Sequence, residues 1–320
     1  MKRRAAAPDR LRRVRIVFFG SPAFAVTSLT SLLEAGHEIA LVVSQPARPS
    51  GRSGAPTPPA VAHVAAERGL PLYQPESLKG DETARRLAEA GAELFVVAAY
   101  GKILPQRLLD LPRLGCVNVH GSLLPRWRGA SPVQAALLAG DATTGVSIMK
   151  MDAGMDTGPV YAMRETPILE ADTSETLGAR LAEMGARLLV ETLAQLPRDA
   201  SPQDDSRATY GPKIAREDGL VDWTRPAAEL VRRDRAFTPW PGLFTVRRKS
   251  RLKLAGLSLL GNESSRLPPG TVISVSPSLV VACGEGAVAV CELQAEGRRR
   301  LSAADFIRGE RVVPGELWPS

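Results

Sequence analysis

Asn118 and His120 are the residues whose types and spacing most directly indicate chemistry. The chain of 320 residues has two asparagines and three histidines, and one of each stands here, two positions apart. Residues 115–119 are typical of a short apolar strand, in which positions i and i+2 face the same side. We therefore expect an amide donor and an imidazole to point together from a strand end. Such a pair can hold a carbonyl oxygen and handle one proton, which makes an enzyme the leading hypothesis.

A carboxylate for this pair is available from the segment 151–158. The segment is a glycine-punctuated loop between two predicted strands, and it carries Asp152 and Asp156. Loops on a rigid sheet often carry catalytic groups, and either carboxylate could hold His120 in one tautomer. The loop alone does not choose between the two aspartates. The competing structural interpretation is a core histidine beside an asparagine that serves a turn.

Several other kinds of site are disfavoured. The three cysteines (Cys116, Cys283 and Cys291) form no CxxC pair, and no HExxH motif occurs, so we expect no metal site. So few cysteines also indicate free thiols in the reducing environment of the cytoplasm. The first predicted strand ends at Gly20, but the second and third glycines of a dinucleotide-binding turn are missing. No apolar run approaches the roughly 20 residues of a membrane span.

The charges are distributed unevenly along the chain. Residues 1–15 carry a net charge of +6, residues 16–209 carry −4 and residues 210–320 carry +5. Residues 1–13 lack the apolar core of a secretory signal, and we interpret them as a disordered basic tail. Basic parts that flank an acidic body are compatible with binding a polyanion such as nucleic acid, but a basic soluble surface would look the same.

The order of predicted elements indicates two folded parts. Within 14–196, strands alternate with helices, which predicts an α/β domain with a doubly wound, mostly parallel sheet. The polar, aperiodic segment 197–209 is interpreted as a linker. Within 210–320, one helix precedes several short strands separated by turn residues, which predicts a small β-barrel or sandwich.

Two arginine-bearing segments are further candidates for binding. The Pro/Gly-rich segment 45–59 carries Arg48 and Arg52, and its structural interpretation is a disordered surface loop. Arg126, Trp127 and Arg128 follow one another, and they either clamp an anion or stack the indole between two cations.

Six motifs are spread through nearly the whole chain after the tail. They are Gln45-Pro-Ala-Arg-Pro-Ser-Gly-Arg52, Ala99-Tyr-Gly-Lys-Ile-Leu-Pro105, Asn118-Val-His-Gly-Ser-Leu-Leu-Pro-Arg-Trp-Arg-Gly129, Met151-Asp-Ala-Gly-Met-Asp-Thr-Gly158, Tyr210-Gly-Pro-Lys-Ile214 and Phe237-Thr-Pro-Trp-Pro241. In these motifs and in their order, the chain resembles the methionyl-tRNA formyltransferase family of 10-formyltetrahydrofolate-dependent enzymes.

The resemblance implies a formyltransferase domain at 14–196 and, at 210–320, a tRNA-binding barrel of oligonucleotide-binding type. It implies formyl transfer from 10-formyltetrahydrofolate, without a metal, to the α-amino group of methionine on initiator tRNA, as translation initiation requires. By the motif match, Asp156 is preferred over Asp152. The implied residues are Asn118, His120 and Asp156 for catalysis, Ser122, Leu123, Leu124 and Pro125 for folate, and Arg48, Arg52 and Lys213 for tRNA.

The hypothesised reaction is direct attack of the amine on the formyl carbon. Asn118 and protonated His120 stabilise the oxyanion, while Asp156 orients His120. One departure weakens the expected tRNA contact: Ala47 and residues 53–56 replace an acid and lysines that the family usually has. The alternatives are formyl transfer to another amine, such as a nucleotide sugar or glycinamide, and a non-catalytic RNA-binding protein. We expect a cytoplasmic monomer that binds no membrane.

Overall fold

The protein is described by a computed structural model that covers residues 13–49, 55–260 and 267–319. Residues 1–12 of the predicted basic tail, and Arg52, lie outside these ranges. The chain forms two compact units. One contains the chain up to Pro132 with Thr143–Thr166 and Gly178–Tyr210, and the other contains Val133–Ala142, Pro167–Leu177 and the chain from Gly211. The domain boundaries given above remain predictions.

Strands and helices alternate through the first two thirds of the chain. The strands are β1 (Arg15–Gly20), β2 (Glu38–Val43), β3 (Arg48–Pro49), β4 (Pro56–Thr57), β5 (Leu72–Tyr73), β6 (Leu94–Ala98), β7 (Cys116–His120), β8 (Arg128–Gly129), β9 (Thr143–Lys150), β10 (Val160–Pro167) and β11 (Tyr210–Gly211). The helices are α1 (Ala23–Glu34), α2 (Ala60–Glu67), α3 (Asp81–Glu89), α4 (Gln106–Leu109), α5 (Pro132–Ala139) and α6 (Ser174–Leu193).

Seven of these strands form one sheet in the order β10-β9-β7-β6-β1-β2-β5. Strands β5, β2, β1, β6 and β7 pair parallel with one another in this order, whereas β9 runs antiparallel to β7. The chain adds β2 and β5 on one side of β1 and later adds β6 and β7 on the other. The prediction of a doubly wound, mostly parallel sheet is confirmed. In such sheets ligands bind at the carboxyl ends of the strands. His120 is the last residue of β7 and therefore lies at this edge of the sheet.

Both faces of this sheet are buried. One core contains alternate residues of the central strands, such as Val17, Phe19 and Val97, together with side chains from α3 and α4. The intervening residues, such as Phe18 and Val96, are also fully buried. Since successive strand residues point to opposite faces, the apolar runs of the central strands are explained by cover on both sides.

Helix α6 approaches the strand that carries the candidate residues closely. A Cβ atom on Gly185 would lie 2.8 Å from Val119 Cγ1 and 3.1 Å from Val146 Cγ1, so only glycine fits without movement. Thr173 caps the helix by accepting a hydrogen bond from Thr176 N. The helix ends at Leu193.

The last third of the chain forms the second sheet. Its elements are α7 (Ala227–Phe237), β12 (Leu243–Arg247), β13 (Ser250–Leu260), β14 (Val272–Ser274), β15 (Leu279–Ala282), β16 (Ala287–Ala295), β17 (Leu301–Ser302) and α8 (Ala303–Glu310). The strands pair antiparallel in the order β12-β13-β16-β15-β14, and β17 also pairs with β16. This curled sheet agrees with the predicted small barrel. Trp223 and Trp318 pack in its interior with ring centroids 6.4 Å apart.

Two short segments from the first two thirds of the chain belong to the second unit. Arg232 on α7 donates to Leu138 O, and Arg235 donates to Asp172 O and Leu169 O. The second unit is therefore discontinuous in sequence. Among the described helices, none is both long enough and apolar enough to cross a membrane.

Candidate active site

Asn118 and His120 lie on β7, where the pairing of that strand with its neighbours fixes their direction. Asn118 is in register with Val97 of β6 and with Met149 of β9, and His120 is the last residue of the strand. Both side chains are buried, with His120 5% exposed. Both contact one carboxylate, so the expectation that they face the same side is met.

That carboxylate belongs to Asp156. Its Oδ1 accepts a hydrogen bond from Asn118 Nδ2 at 3.3 Å, and its Oδ2 accepts one from Gly129 N at 2.9 Å. The same Oδ2 lies 3.6 Å from His120 Nδ1. Because a carboxylate oxygen accepts only, the Asn118 amide must turn its nitrogen toward Asp156. The three residues predicted from the sequence therefore form one cluster.

The imidazole of His120 is held in one orientation by its second nitrogen. His120 Nε2 lies 2.9 Å from Trp127 O, and a carbonyl oxygen cannot donate, so Nε2 carries a proton. The nitrogen left to gain or lose a proton is Nδ1, which faces Asp156. The site can therefore pass a proton along the edge of the ring that faces the carboxylate.

Asp152 has a different role in the same loop. Its Oδ1 accepts hydrogen bonds from Gly154 N at 3.0 Å and from Thr157 Oγ1 at 2.7 Å, and its side chain is exposed. These contacts close the loop on itself. The structure thus gives a reason for preferring Asp156 that the sequence of the loop did not contain.

The segment expected to contact folate is tied down by hydrogen bonds. Ser122 Oγ donates to Arg126 O at 2.6 Å, and Ser147 Oγ of β9 donates to Ser122 O while accepting from Leu124 N. The Leu124–Pro125 peptide bond is cis. With these polar groups already bonded, the half-buried Leu123 and Pro125 offer a ligand shape and apolar surface. Leu124 is buried against Met149 and Val160 instead.

The two arginines beside Trp127 behave differently. The Arg126 guanidinium stacks over the indole, 4.4 Å from its centre. Arg128 is buried instead, and its Nη2 donates to Asp205 Oδ1 at 2.6 Å. The stack predicted for this segment therefore involves Arg126, and Arg128 has a structural partner.

The segment predicted as a linker forms hydrogen bonds with the loop that carries Asp156. The sequence analysis gave this segment no role at the site. Ser201 pairs with Val160 through both backbone groups. Gln203 Nε2 donates to Asp156 O at 2.8 Å and to Gly158 O at 2.7 Å. Thr209 accepts from Trp127 N through its hydroxyl. No local signal identifies these contacts, because a polar aperiodic segment looks the same whether or not it is bound.

The residues expected to contact tRNA are exposed where they are described. Arg48 stands in the short β3–β4 ladder opposite Thr57, and Lys213 follows β11. Arg52 lies outside the described residues. Within the described part of the chain, no group of three or more His, Cys, Asp or Glu side chains could hold a metal ion.

Comparison with protein families and curated proteins gives matches over nearly the whole chain. The family model described as "Formyl transferase" matches residues 13–193, and "Formyl transferase, C-terminal domain" matches residues 213–311. The chain is 49% identical over 306 residues to methionyl-tRNA formyltransferase of Dechloromonas aromatica, covering 95% of this chain and 99% of that protein. It is 46% identical to the enzyme of the same name from Thiobacillus denitrificans, covering 94% and 98%.

Among solved structures, similar folds occur in other formyltransferases and in HypX. The sugar 3N-formyl transferase WlaRD matches with a TM-score of 0.64 at 17% identity, covering 90% of this chain and 100% of that one. HypX from Aquifex aeolicus in complex with tetrahydrofolic acid matches with a TM-score of 0.63 at 16% identity, covering 92% and 47%. At these identities the likeness concerns the fold.

Proposed function

The chain belongs to the methionyl-tRNA formyltransferase family, and from that premise we propose how its residues perform the reaction. The enzyme transfers a formyl group to the α-amino group of methionine on initiator tRNA. The proposed formyl donor is 10-formyltetrahydrofolate, and the proposed catalytic residues are Asn118, His120 and Asp156. The observation that carries this assignment is the single carboxylate that Asn118 and His120 both contact.

Asn118 is proposed to stabilise the negative charge that develops on the formyl oxygen. One N–H of its amide is donated to Asp156 Oδ1, which fixes the plane of the group. The second N–H is then available to a carbonyl oxygen beyond the end of β7. Donors fixed in this way before the reaction can lower the barrier by about 3–4 kcal/mol each.

His120 and Asp156 are proposed to remove the proton of the attacking amine. With Nε2 donating to Trp127 O, the proton is accepted on the side of the ring where Nδ1 and Asp156 Oδ2 lie 3.6 Å apart. The sequence hypothesis that protonated His120 also stabilises the oxyanion is less well supported, because Nε2 already has an acceptor. We therefore assign the oxyanion to Asn118 and the proton to the other two residues. As the tetrahedral intermediate collapses, the bond between N10 and the formyl carbon breaks, and His120 and Asp156 return the proton to N10 of the departing tetrahydrofolate.

The residues around this cluster suit a folate co-substrate. The donor set of an amide, an imidazole and a carboxylate matches a formyl carbonyl and a single proton. The half-buried Leu123 and Pro125 offer apolar surface for a flat ring, while the buried Leu124 holds the segment in the core. This surface is consistent with the bound tetrahydrofolic acid of the HypX structure. Contact of tRNA with Arg48, Arg52 and Lys213, a cytoplasmic location and a monomeric state remain parts of the proposal.

The test is formyl transfer from 10-formyltetrahydrofolate to methionyl initiator tRNA, with methionyl elongator tRNA as the control. We expect selective formylation of the initiator, and we expect Asn118→Ala and Asp156→Ala each to lower kcat by about 100-fold or more. Near-normal turnover in either variant would overturn the residue assignment. Folate binding without transfer to tRNA would instead point to another amine as acceptor.

A further inference from the structure

We propose that Gln203 is a positioning residue that sets the backbone of Asp156 and is itself oriented by Arg128. The inference rests on the proposed catalytic role of Asp156. It assigns part of the active site to a segment whose sequence predicts a linker. All the residues concerned lie in the first unit.

Asp156 needs support because its backbone is in a conformation that L residues disfavour. Its φ is +55°, in the left-handed region, where a residue with a Cβ atom is strained. Strained residues persist where the surrounding structure holds them, and they cluster at active sites. The carboxylate itself has two hydrogen-bond donors, Asn118 Nδ2 and Gly129 N, but neither fixes the direction of the backbone.

Gln203 supplies that backbone contact. Its Nε2 donates to both Asp156 O and Gly158 O, so one amide group binds the loop on either side of Thr157. The loop also packs closely against β9: a Cβ atom at Gly158 would lie 1.9 Å from Lys150 O, so only glycine fits there, and Lys150 N donates to Pro159 O at 2.9 Å. The side chain of Gln203 therefore sets where the Asp156 backbone lies, and with it the direction of the carboxylate toward His120.

Arg128 determines which end of the Gln203 amide faces the loop. Its Nε and Nη2 both donate to Gln203 Oε1, at 3.1 and 2.9 Å. An arginine cannot accept a hydrogen bond, so the amide oxygen must face Arg128 and the nitrogen must face the loop. The Arg128 side chain is 2% exposed and is paired with Asp205. The next residue, Gly129, donates a hydrogen bond directly to the Asp156 carboxylate. Arg128 and Gly129 therefore both act on Asp156, the first through Gln203 and the second directly.

The first experiment compares Gln203→Glu with Gln195→Glu. Glutamate at 203 keeps the acceptor for Arg128 but loses both N–H donors, and it turns an oxygen toward two carbonyl oxygens. Gln195 is a matched control because it too donates to a backbone carbonyl (Glu191 O) and accepts from an arginine (Arg198), but at an exposed place. We expect Gln203→Glu to lower kcat by about 10- to 100-fold with KM for folate nearly unchanged, and Gln195→Glu to match the wild type.

Gln203→Met is the second variant, because it removes the donors without adding a charge and keeps the length of the side chain. It is expected to lower kcat in the same direction. Circular dichroism and thermal unfolding of each variant verify that the protein is folded. If folded Gln203→Glu and Gln203→Met both keep kcat within about twofold of the wild type, the proposal is wrong.

A double-mutant cycle separates positioning from a general structural effect. In an Asp156→Ala background there is no carboxylate to aim, so adding Gln203→Met should change the single-turnover rate by less than about twofold. An equal loss of rate with and without Asp156 would contradict action through this residue. If Asp156→Ala alone keeps the wild-type rate, the proposed catalytic role of Asp156 is wrong. That outcome is distinct from a failure of the Gln203 proposal, in which Asp156→Ala loses activity but the Gln203 variants do not.

Discussion

At the scale of single residues, the site depends on how two aspartates of one loop are used. Asp152 bonds to its own loop, whereas Asp156 faces Asn118 and His120. The sequence predicted Asn118 and His120 because a strand has a period of two. It could not choose between the aspartates by spacing, since a glycine-rich loop has no period, and the choice of Asp156 came from the family resemblance. Gln203 was missed because its amide nitrogen binds backbone carbonyls, which leave no trace in sequence, and because its side-chain partner Arg128 is distant along the chain.

Exchanging each aspartate for alanine tests this division of roles. Asp156→Ala should lower kcat by about 100-fold or more, because it removes the group between Asn118 and His120. Asp152→Ala removes two hydrogen bonds inside the loop, so it should lower the free energy of unfolding by about 1–2 kcal/mol and kcat by less than tenfold. Steady-state kinetics and thermal unfolding of both variants provide the check. A larger loss of kcat in Asp152→Ala would reverse the roles.

At the scale of elements, the central strands were predictable because they are continuous apolar runs, and the long helix α6 because its apolar residues recur with the helical period. Strand β7 was predicted to within one residue. Helix α8 was not predicted, because Phe306 is its only buried residue and eight residues show little periodicity. Short strands such as β5 were not predicted, for the same reason. Their positions depend on pairing with distant segments, which a single sequence does not display.

Helix α7 contributes a buried acid that ties it to the second sheet. Asp234 is 6% exposed, and its Oδ2 accepts a hydrogen bond from Leu257 N at 2.9 Å. The neighbouring Gly256, with φ of +67°, has no partner in the register between β13 and β16. Burial raises the pKa of Asp234 from 3.8 to about 6, although hydrogen bonds from the backbone N–H groups of Leu257 and Gly256 act in the opposite direction.

The raised pKa predicts a dependence of stability on pH. Between pH 4 and pH 6 the folded protein keeps a proton on Asp234 that the unfolded chain releases, so this group lowers stability as pH rises through that range. Asp234→Asn keeps an acceptor oxygen and does not ionise. Relative to the wild type, it should therefore become more stable between pH 4 and pH 7.5 by up to about 3 kcal/mol, at 1.36 kcal/mol per pKa unit.

Urea unfolding of wild type and Asp234→Asn at pH 4.5, 6 and 7.5 measures this difference. Asp199→Asn, at an exposed position, is the control and should show no such trend. The contrary result is a stability difference between Asp234→Asn and the wild type that stays constant across the three pH values. That result would show that the pKa of the Asp234 carboxyl group is not raised.

At the scale of the whole molecule, charge and chain path are the two informative features. The net charge is +7, although residues 16–209 carry −4, so the positive charge is concentrated toward the two ends of the chain. Composition could predict a polyanion partner from this distribution, but it could not identify which cations bind. The discontinuous second unit was not predictable either, because the assignment of a short segment to one unit depends on contacts across the fold.

Arg48→Ala tests whether the reduced basic loop still binds tRNA. Removing one phosphate contact should weaken tRNA binding uniformly and reduce the slope of log K against log salt concentration by about 0.7–0.9. The KM for folate should not change. Arg68→Ala, which removes an exposed arginine at the end of α2, is the control. Equal slopes for Arg48→Ala and the wild type, measured between 50 and 200 mM salt, would assign the contact to other cations.

The path of the chain also limits which recombination events between related genes can produce a functional enzyme. The chain passes between units at residues 133, 143, 167, 178 and 211. A single recombination event near residue 210 would bring in a new carboxyl-terminal gene segment but would keep Val133–Ala142 and Pro167–Leu177 from the parent. Backbone acceptors such as Leu138 O and Asp172 O would then meet a foreign helix in place of Arg232 and Arg235. A functional chimaera must therefore carry all three segments together.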